Sequence, residues 1–206
     1  ADKYVDGEYD PDRKNDDRDL YISRSEDSGA TWSRGEPVDW RGHELKSHGG
    51  SPYFKMVTLP DGTVLLAYHS PAGVCLVRSR DGGATWIDPV MIGEGLGETA
   101  LCYLGDGHLI AVMRGKALHQ TESRDDGYNW SEPRQITDEW ELPGDVLKLQ
   151  DGRLLLTYGR RVPPYGIQGM VSHDEGRTWD RDQRLFLVTD SSTTDCGYPS
   201  SLQRDD

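Results

Sequence analysis

Apolar residues along this chain fall into short alternating runs separated by turn residues, the pattern of β-strands joined by tight connections. Three runs, LPDGTVLLAY from 59, LGDGHLIAVM from 104 and LQDGRLLLTY from 149, set an Asp-Gly pair between two apolar segments, and LQRDD from 202 begins another. An Asp-Gly pair so placed predicts a β-hairpin. Between the hairpins a second motif, Ser-x-Asp-x-Gly-x-x-Trp, is written four times: SEDSGATW at 25–32, SRDGGATW at 79–86, SRDDGYNW at 123–130 and SHDEGRTW at 172–179. The copies start 54, 44 and 49 residues apart, the period of a four-stranded propeller blade rather than of a helical repeat. The predicted unit is strand A, Asp-Gly turn, strand B, variable loop, strand C, octapeptide turn, strand D.

On this pattern the chain is an all-β propeller, with blades at about 50–92, 97–137 and 143–188, a half-blade in 1–40 and the start of a further blade in 195–206. About four blades' worth of chain is present. A propeller closes by pairing its first and last strands so that no long sheet edge stays open. Either the C-terminal strand A completes the N-terminal half-blade, which would then lack a strand B, or the chain is a single propeller domain incomplete at both ends, and the missing strand favours the second.

The octapeptide explains its own recurrence. A Ser hydroxyl and an Asp carboxylate two residues apart can accept hydrogen bonds from backbone N–H groups of the same turn, while Gly supplies a positive φ. The closing Trp32, Trp86, Trp130 and Trp179 are expected to wedge between neighbouring sheets, each indole N–H reaching a backbone carbonyl. These residues read as structural.

Composition narrows the classes of function. A formal net charge of -13 disfavours nucleic acid and anionic membrane surfaces, both of which need a positive footprint. With 34% hydrophobic residues in short runs, no membrane span is apparent. The three cysteines, Cys75, Cys102 and Cys196, give no disulfide framework and read as buried small hydrophobes. His43 and His48, with Glu44 between them, match no zinc signature, so neither metal nor cofactor is expected.

Strand alternation sorts the loops onto two faces. The Asp-Gly turns and octapeptides share one, and the B-to-C and D-to-A connections share the other, where chemistry is expected. Glu98 opens one strand A and Arg114 ends its strand B; Arg160 and Arg161 end the next strand B; Tyr198 opens the last strand A. Guanidinium groups converging on a channel bind a carboxylate through paired N–H···O bonds, and a carboxylate beside a phenol can take its proton. Asp145 and Asp195 also open inner strands and are candidates for contacts to sugar hydroxyls. Trp40 and Trp140 lie on the same face, as candidates for stacking on a sugar ring or for partial burial.

The octapeptides resemble the Asp boxes, or BNR repeats, of the sialidase (neuraminidase) superfamily. GETALCYLGDGHLIAVMR is similar to the sialidase segment in which a Glu opens an inner strand and an Arg closes its hairpin sixteen residues later, here Glu98 and Arg114. GYPSSLQRDD resembles the segment that carries the nucleophilic Tyr, here Tyr198. The resemblance implies a six-bladed propeller, present from the end of the second blade to the start of the sixth. It implies retaining hydrolysis of terminal sialic acid, with Tyr198 as nucleophile, Glu98 as its base and an arginine clamp on the substrate carboxylate. Its expected partners are sialylated or other acidic glycans, and its expected location is secreted or periplasmic.

The chain also departs from that pattern. The segment supplying the first clamp arginine is absent, and where the third is usual stand Tyr165 and Gly166, which leaves Arg160 or Arg161 to substitute. Asp16, Asp17 and Asp19 lie in a loop of the kind that carries the acid, but in the second blade rather than the first, and read as a solvated acidic loop. The 206 residues alone are therefore expected to show little or no turnover. A glycosidase or lyase acting on another acidic sugar, and a non-catalytic propeller that binds glycans or proteins, are the alternatives.

Overall fold

The computed structural model describes residues 4–5, 8–9, 20–39, 51–53 and 55–204. Every regular element among them is a β-strand. Two short antiparallel pairs come first, β1 (Tyr4–Val5) with β2 (Glu8–Tyr9) and β3 (Tyr21–Ile22) with β4 (Glu36–Pro37). A first larger sheet holds β5 (Ser51–Pro52), β6 (Val57–Thr58), β7 (Val64–Ser70), β8 (Gly73–Ser79) and β9 (Ile87–Glu94), with β5 and β6 both paired to β7 as two pieces of one inner strand. A second runs β10 (Gly97–Gly105), β11 (His108–Arg114), β12 (Leu118–Ser123) and β13 (Arg134–Gln135). A third runs β14 (Glu141–Lys148), β15 (Leu154–Arg160), β16 (Gly166–Ser172) and β17 (Leu185–Val188). Each is an antiparallel meander in chain order, the form of a propeller blade. Among the described residues no helix is long and apolar enough to cross a membrane, which leaves β-barrel spans aside.

Alternation along β11 shows why the strands read as continuous apolar runs. Its Leu109, Ala111 and Met113 pack with Leu65, Val74 and Leu76 of the first sheet, while Ile110 and Val112 pack with Leu142, Leu156 and Tyr158 of the third. A strand flanked by sheets on both sides must be apolar on both faces. Leu109, Ile110, Ala111, Val112 and Met113 are all fully buried.

The octapeptide turns behave as their composition dictates. In the copy at 79–86, Ser79 Oγ accepts from Gly83 N at 2.7 Å and donates to Asp81 Oδ1 at 2.7 Å, while Asp81 accepts from Thr85 N and Oγ1 at 2.9 and 2.6 Å. The other three copies repeat those bonds, and their glycines sit at φ 84–89. The three later turns also receive a side chain from the unit before them. Arg24 donates to Gly82 O at 3.5 Å, Arg78 to Gly127 O at 3.0 Å and Gln120 to Gly176 O at 3.1 Å. The motif is thus a self-satisfied turn that offers a carbonyl to its neighbour.

The tryptophans depart from the expectation in part. Trp86 and Trp179 are buried, but Trp32, on the two-stranded pair β3–β4, is 65% exposed. Trp32 and Trp130 donate to the carbonyls of Gly29 and Gly127 in their own turns. Trp179 donates instead to the side chain of Gln120, because the same amide bonds the Gly176 carbonyl and turns its oxygen to the indole. The Trp86 indole N–H has no hydrogen-bond partner among the described residues, while its ring packs with Leu66, Tyr68 and Val77. Cys75, Cys102 and Cys196 are free thiols, the last two buried.

Candidate active site

Glu98 and Arg114 are sixteen residues apart in sequence and neighbours in space because the Asp-Gly hairpin folds β10 back along β11, with Gly97 opposite Arg114. Arg114 Nη1 donates to Glu98 Oε1 at 2.9 Å and Oε2 at 2.7 Å. Glu98 is buried and Arg114 about one-third exposed. Burial works to lower the Arg114 pKa, but the Glu98 bond and charge outweigh it and raise it above its ordinary value.

Tyr198 reaches this pair from 84 residues further along the chain. Its Oη donates to Glu98 Oε1 at 2.8 Å and accepts from Arg114 Nη1 at 3.3 Å. Burial first, then the hydrogen bond to Glu98 and its charge, raise the phenol pKa, while Arg114 pulls it down. The approach depends on a gap in β15. A Cβ at Gly159 would lie 2.5 Å from Cys196 O and 2.8 Å from Gly197 Cα, so only glycine lets residues 196–197 pass this close. Arg161 Nε holds the Cys196 carbonyl at 3.1 Å.

Such an arrangement can move a proton from phenol to carboxylate and hold the resulting phenolate beside a guanidinium. All the described bonds of Arg114 use Nη1. Its other donors form the edge that a further anion would meet.

The remaining candidates are placed differently. Arg160 does not join the cluster: its Nη1 donates to Val162 O and Pro164 O, and it lines a shallow groove with Arg184 and Phe186. Consecutive residues at a strand end point to opposite sides, and Arg161 takes the side of Cys196. Asp145, in the middle of β14 rather than at its start, is 2% exposed and accepts from Lys55 Nζ at 3.2 Å and Ser201 N at 2.6 Å, which ties β14 to the stretch between β5 and β6 and to the segment after β17. Asp195 is exposed, its described bond is from its own N–H to Thr193 Oγ1, and neither it nor Tyr198 opens a strand, since the described residues after β17 pair with no neighbouring strand. Trp140 is 51% exposed at φ 68, its N–H bonded to Lys116 O and its carbonyl to Arg161 N. Asp16, Asp17, Asp19, Trp40, His43, Glu44 and His48 lie outside the described residues.

Two rings absent from the candidate set sit against the cluster. Tyr53 lies 6.0 Å from Tyr198 between ring centroids at an interplanar angle of 25°, and 5.1 Å from the His69 ring. Their signal was available in the sequence: Tyr53 and His69 stand eight residues before and after Asp61, as Glu98 and Arg114 stand eight before and after Asp106.

A sequence profile described as a BNR repeat-like domain matches residues 13–206. No curated protein matches the chain. Similar solved structures include a protein of unknown function from Dyadobacter fermentans, with TM-score 0.68 and 24% identity over 87% of this chain and 55% of that one. They also include the NanB sialidase of Streptococcus pneumoniae, with TM-score 0.66 and 18% identity over 82% of this chain and 28% of that one. A xylan beta-1,4-xylosidase from Bacillus halodurans has TM-score 0.55 and 15% identity over 75% of this chain and 34% of that one. The chain therefore spans about half or less of the length of these three proteins.

Proposed function

Because this chain belongs to the BNR repeat-like domain family, we propose that Glu98, Arg114 and Tyr198 form part of the active site of a sialidase-like glycoside hydrolase. The observation that carries this reading is the bond from Tyr198 Oη to Glu98 Oε1 at 2.8 Å, bracketed by Arg114 Nη1. Tyr198 is the nucleophile: as its oxygen bonds the anomeric carbon, its proton passes to Glu98 and the glycosidic oxygen leaves, protonated by an acid from another part of the protein. Water then attacks the anomeric carbon of the glycosyl-tyrosine, giving its proton to the conjugate base of that acid, and the departing phenolate recovers its proton from Glu98, with retention overall. A phenol suits this task because a carboxylate nucleophile would be repelled by a substrate carboxylate next to the reacting carbon.

Arg114 binds that substrate carboxylate through its unused edge, which a planar guanidinium does better than an ammonium. Arg161 lies next to the Tyr198 segment and is the second candidate for the clamp; Arg160 is tied into its own loop. Trp140 offers an exposed indole on a backbone held at both ends, suited to stacking on a sugar of the substrate. The substrates are sialylated glycans met outside the cytoplasm, in a secreted or periplasmic setting, and the domain is one six-bladed propeller.

A second reading, a glycosidase acting on another acidic sugar, draws on the fact that Arg114 is the one arginine of the described residues bonded within the cluster. Hydrolysis by the full-length protein separates the two. Release of sialic acid from an aryl sialoside, with no release from aryl uronides, supports the first; the reverse preference supports the second and removes the first.

A further inference from the structure

In the first larger sheet Tyr53 and His69 hold the positions that Glu98 and Arg114 hold in the second. One blade ends its inner hairpin in an ion pair and its neighbour ends in two rings, tilted 33° to one another. Tyr198 lies across both, with its oxygen on Glu98 and Arg114 and its ring against Tyr53.

A phenol held only through its oxygen can swing about that point, and two hydrogen bonds do not fix the plane of the ring. An aromatic neighbour in offset contact does fix it. The backbone gives Tyr198 no help, because its φ of 57 is unfavourable for a bulky residue and persists only where the surroundings impose it. The oxygen contacts are also the ones that must change during the reaction, since Arg114 has to share its charge with the substrate. The ring contact is independent of that exchange.

We propose that Tyr53, backed by His69, is a positioning residue for Tyr198: its ring fixes the plane of the phenol so that Oη stays between Glu98 and Arg114 while substrate enters. Tyr53 makes no described hydrogen bond to the ion pair or to the reacting oxygen; it meets Tyr198 through the ring, and its own phenol adds a weaker upward push on the Tyr198 pKa than burial or Glu98. His69 Cδ2 would be 3.7 Å from a Cβ at Gly97, so the imidazole also fills the space between Tyr53 and the start of β10. The catalytic part of the proposal rests on the reading of Tyr198 as nucleophile, whereas the ring contact does not.

The test uses full-length protein labelled with 13C at tyrosine Cζ, the Tyr198 signal being the one lost in Tyr198→Phe. Tyr53→Phe keeps the ring and removes only the weak upward push of the Tyr53 phenol, so the Tyr198 titration should move down far less than in Tyr53→Leu. Tyr53→Leu removes the ring and should move that titration down toward an ordinary phenol, because burial and the Glu98 bond, which both raise it, weaken together. With a sialoside, Tyr53→Leu should lower kcat about 10- to 100-fold with little change in KM, and Tyr53→Phe should restore it. An unchanged Tyr198 titration in Tyr53→Leu overturns the proposal, as does a Tyr53→Phe variant as impaired as Tyr53→Leu. Turnover that survives in Tyr198→Phe overturns the nucleophile reading instead, and the titration still decides the ring contact.

Discussion

Arg114 directs one nitrogen at three oxygens, both of Glu98 and that of Tyr198, and leaves the rest of its fork for a ligand. Lysine could keep the charge but not the second contact. Arg114→Lys should therefore raise KM for an anionic substrate by about 10- to 100-fold, the loss of one charge-assisted pair, read by steady-state kinetics. The octapeptide aspartates predict a pH effect of a different kind. Hydrogen bonds from Thr31 and Ser25 hold Asp27 down to about 2, and equivalent bonds depress Asp81, Asp125 and Asp174, although burial alone works the other way and is the largest single influence on Asp174. A carboxylate with a lower pKa folded than unfolded stabilises the fold above the unfolded value of 3.8 and loses that contribution as pH falls toward 2. Urea unfolding should show stability dropping across that window, with a shallower drop in Asp125→Asn. At this scale Glu98 and Arg114 were legible because they open and close one hairpin, β10–β11, whereas Tyr198, expected to open a further strand, lies in an irregular segment after β17 and reaches the same face without one. Tyr53 was not, because a tyrosine in a strand-like run reads as ordinary packing until its register beside Glu98 is counted. Nor could adjacency in sequence say which of Arg160 and Arg161 turns toward Tyr198.

The hairpins and octapeptides set the elements, and both were readable from the Asp-Gly pairs and the repeated Ser, Asp, Gly and Trp. What the repeat did not reveal was its role between blades. Arg78 is 1% exposed, bonds Asp126 O and Gly127 O of the next turn at 3.3 and 3.0 Å, and lies 3.8 Å from the Tyr128 ring centroid. Arg78→Ala leaves those buried carbonyls unpaired beside a cavity, and chemical denaturation should show a loss of about 3 kcal/mol. Leu156→Ala, inside the interface between the second and third larger sheets, should cost about 2–5 kcal/mol by the same measurement. Gly159→Ala acts elsewhere. Its Cβ would collide with backbone rather than with a pliable side chain, so the segment 196–198 must move. Sialoside turnover should fall about 100-fold, in keeping with a misplaced catalytic group, while the thermal transition shifts far less than in Leu156→Ala. The split of the first inner strand into β5 and β6 was invisible in the sequence, since SPYFKMV reads as one strand.

Across the whole molecule, the same alternation that gives each strand two apolar faces stacks the sheets side by side and gathers the ends of their inner hairpins. The collected ends hold an ion pair in one blade and an aromatic pair in the next, while the next sheet opens at Gly159 to admit the segment bearing Tyr198. Asp145, with Lys55 and Ser201, ties β14 to the stretch between β5 and β6 and to the segment that carries Tyr198. Expected to open an inner strand, it lies instead in the middle of β14, because the strand begins four residues earlier at Glu141, and its partners lie 90 and 56 residues away with no local pattern to announce them. The central claim is that Tyr198 bonds the sugar. Peptide mapping by mass spectrometry, after the full-length protein is incubated with a fluorinated sialosyl substrate whose intermediate breaks down slowly, tests it most directly. The account predicts a sialosyl mass increment on the peptide containing Tyr198, absent from Tyr198→Phe. An increment on any other residue, or sialoside turnover retained in Tyr198→Phe, contradicts it.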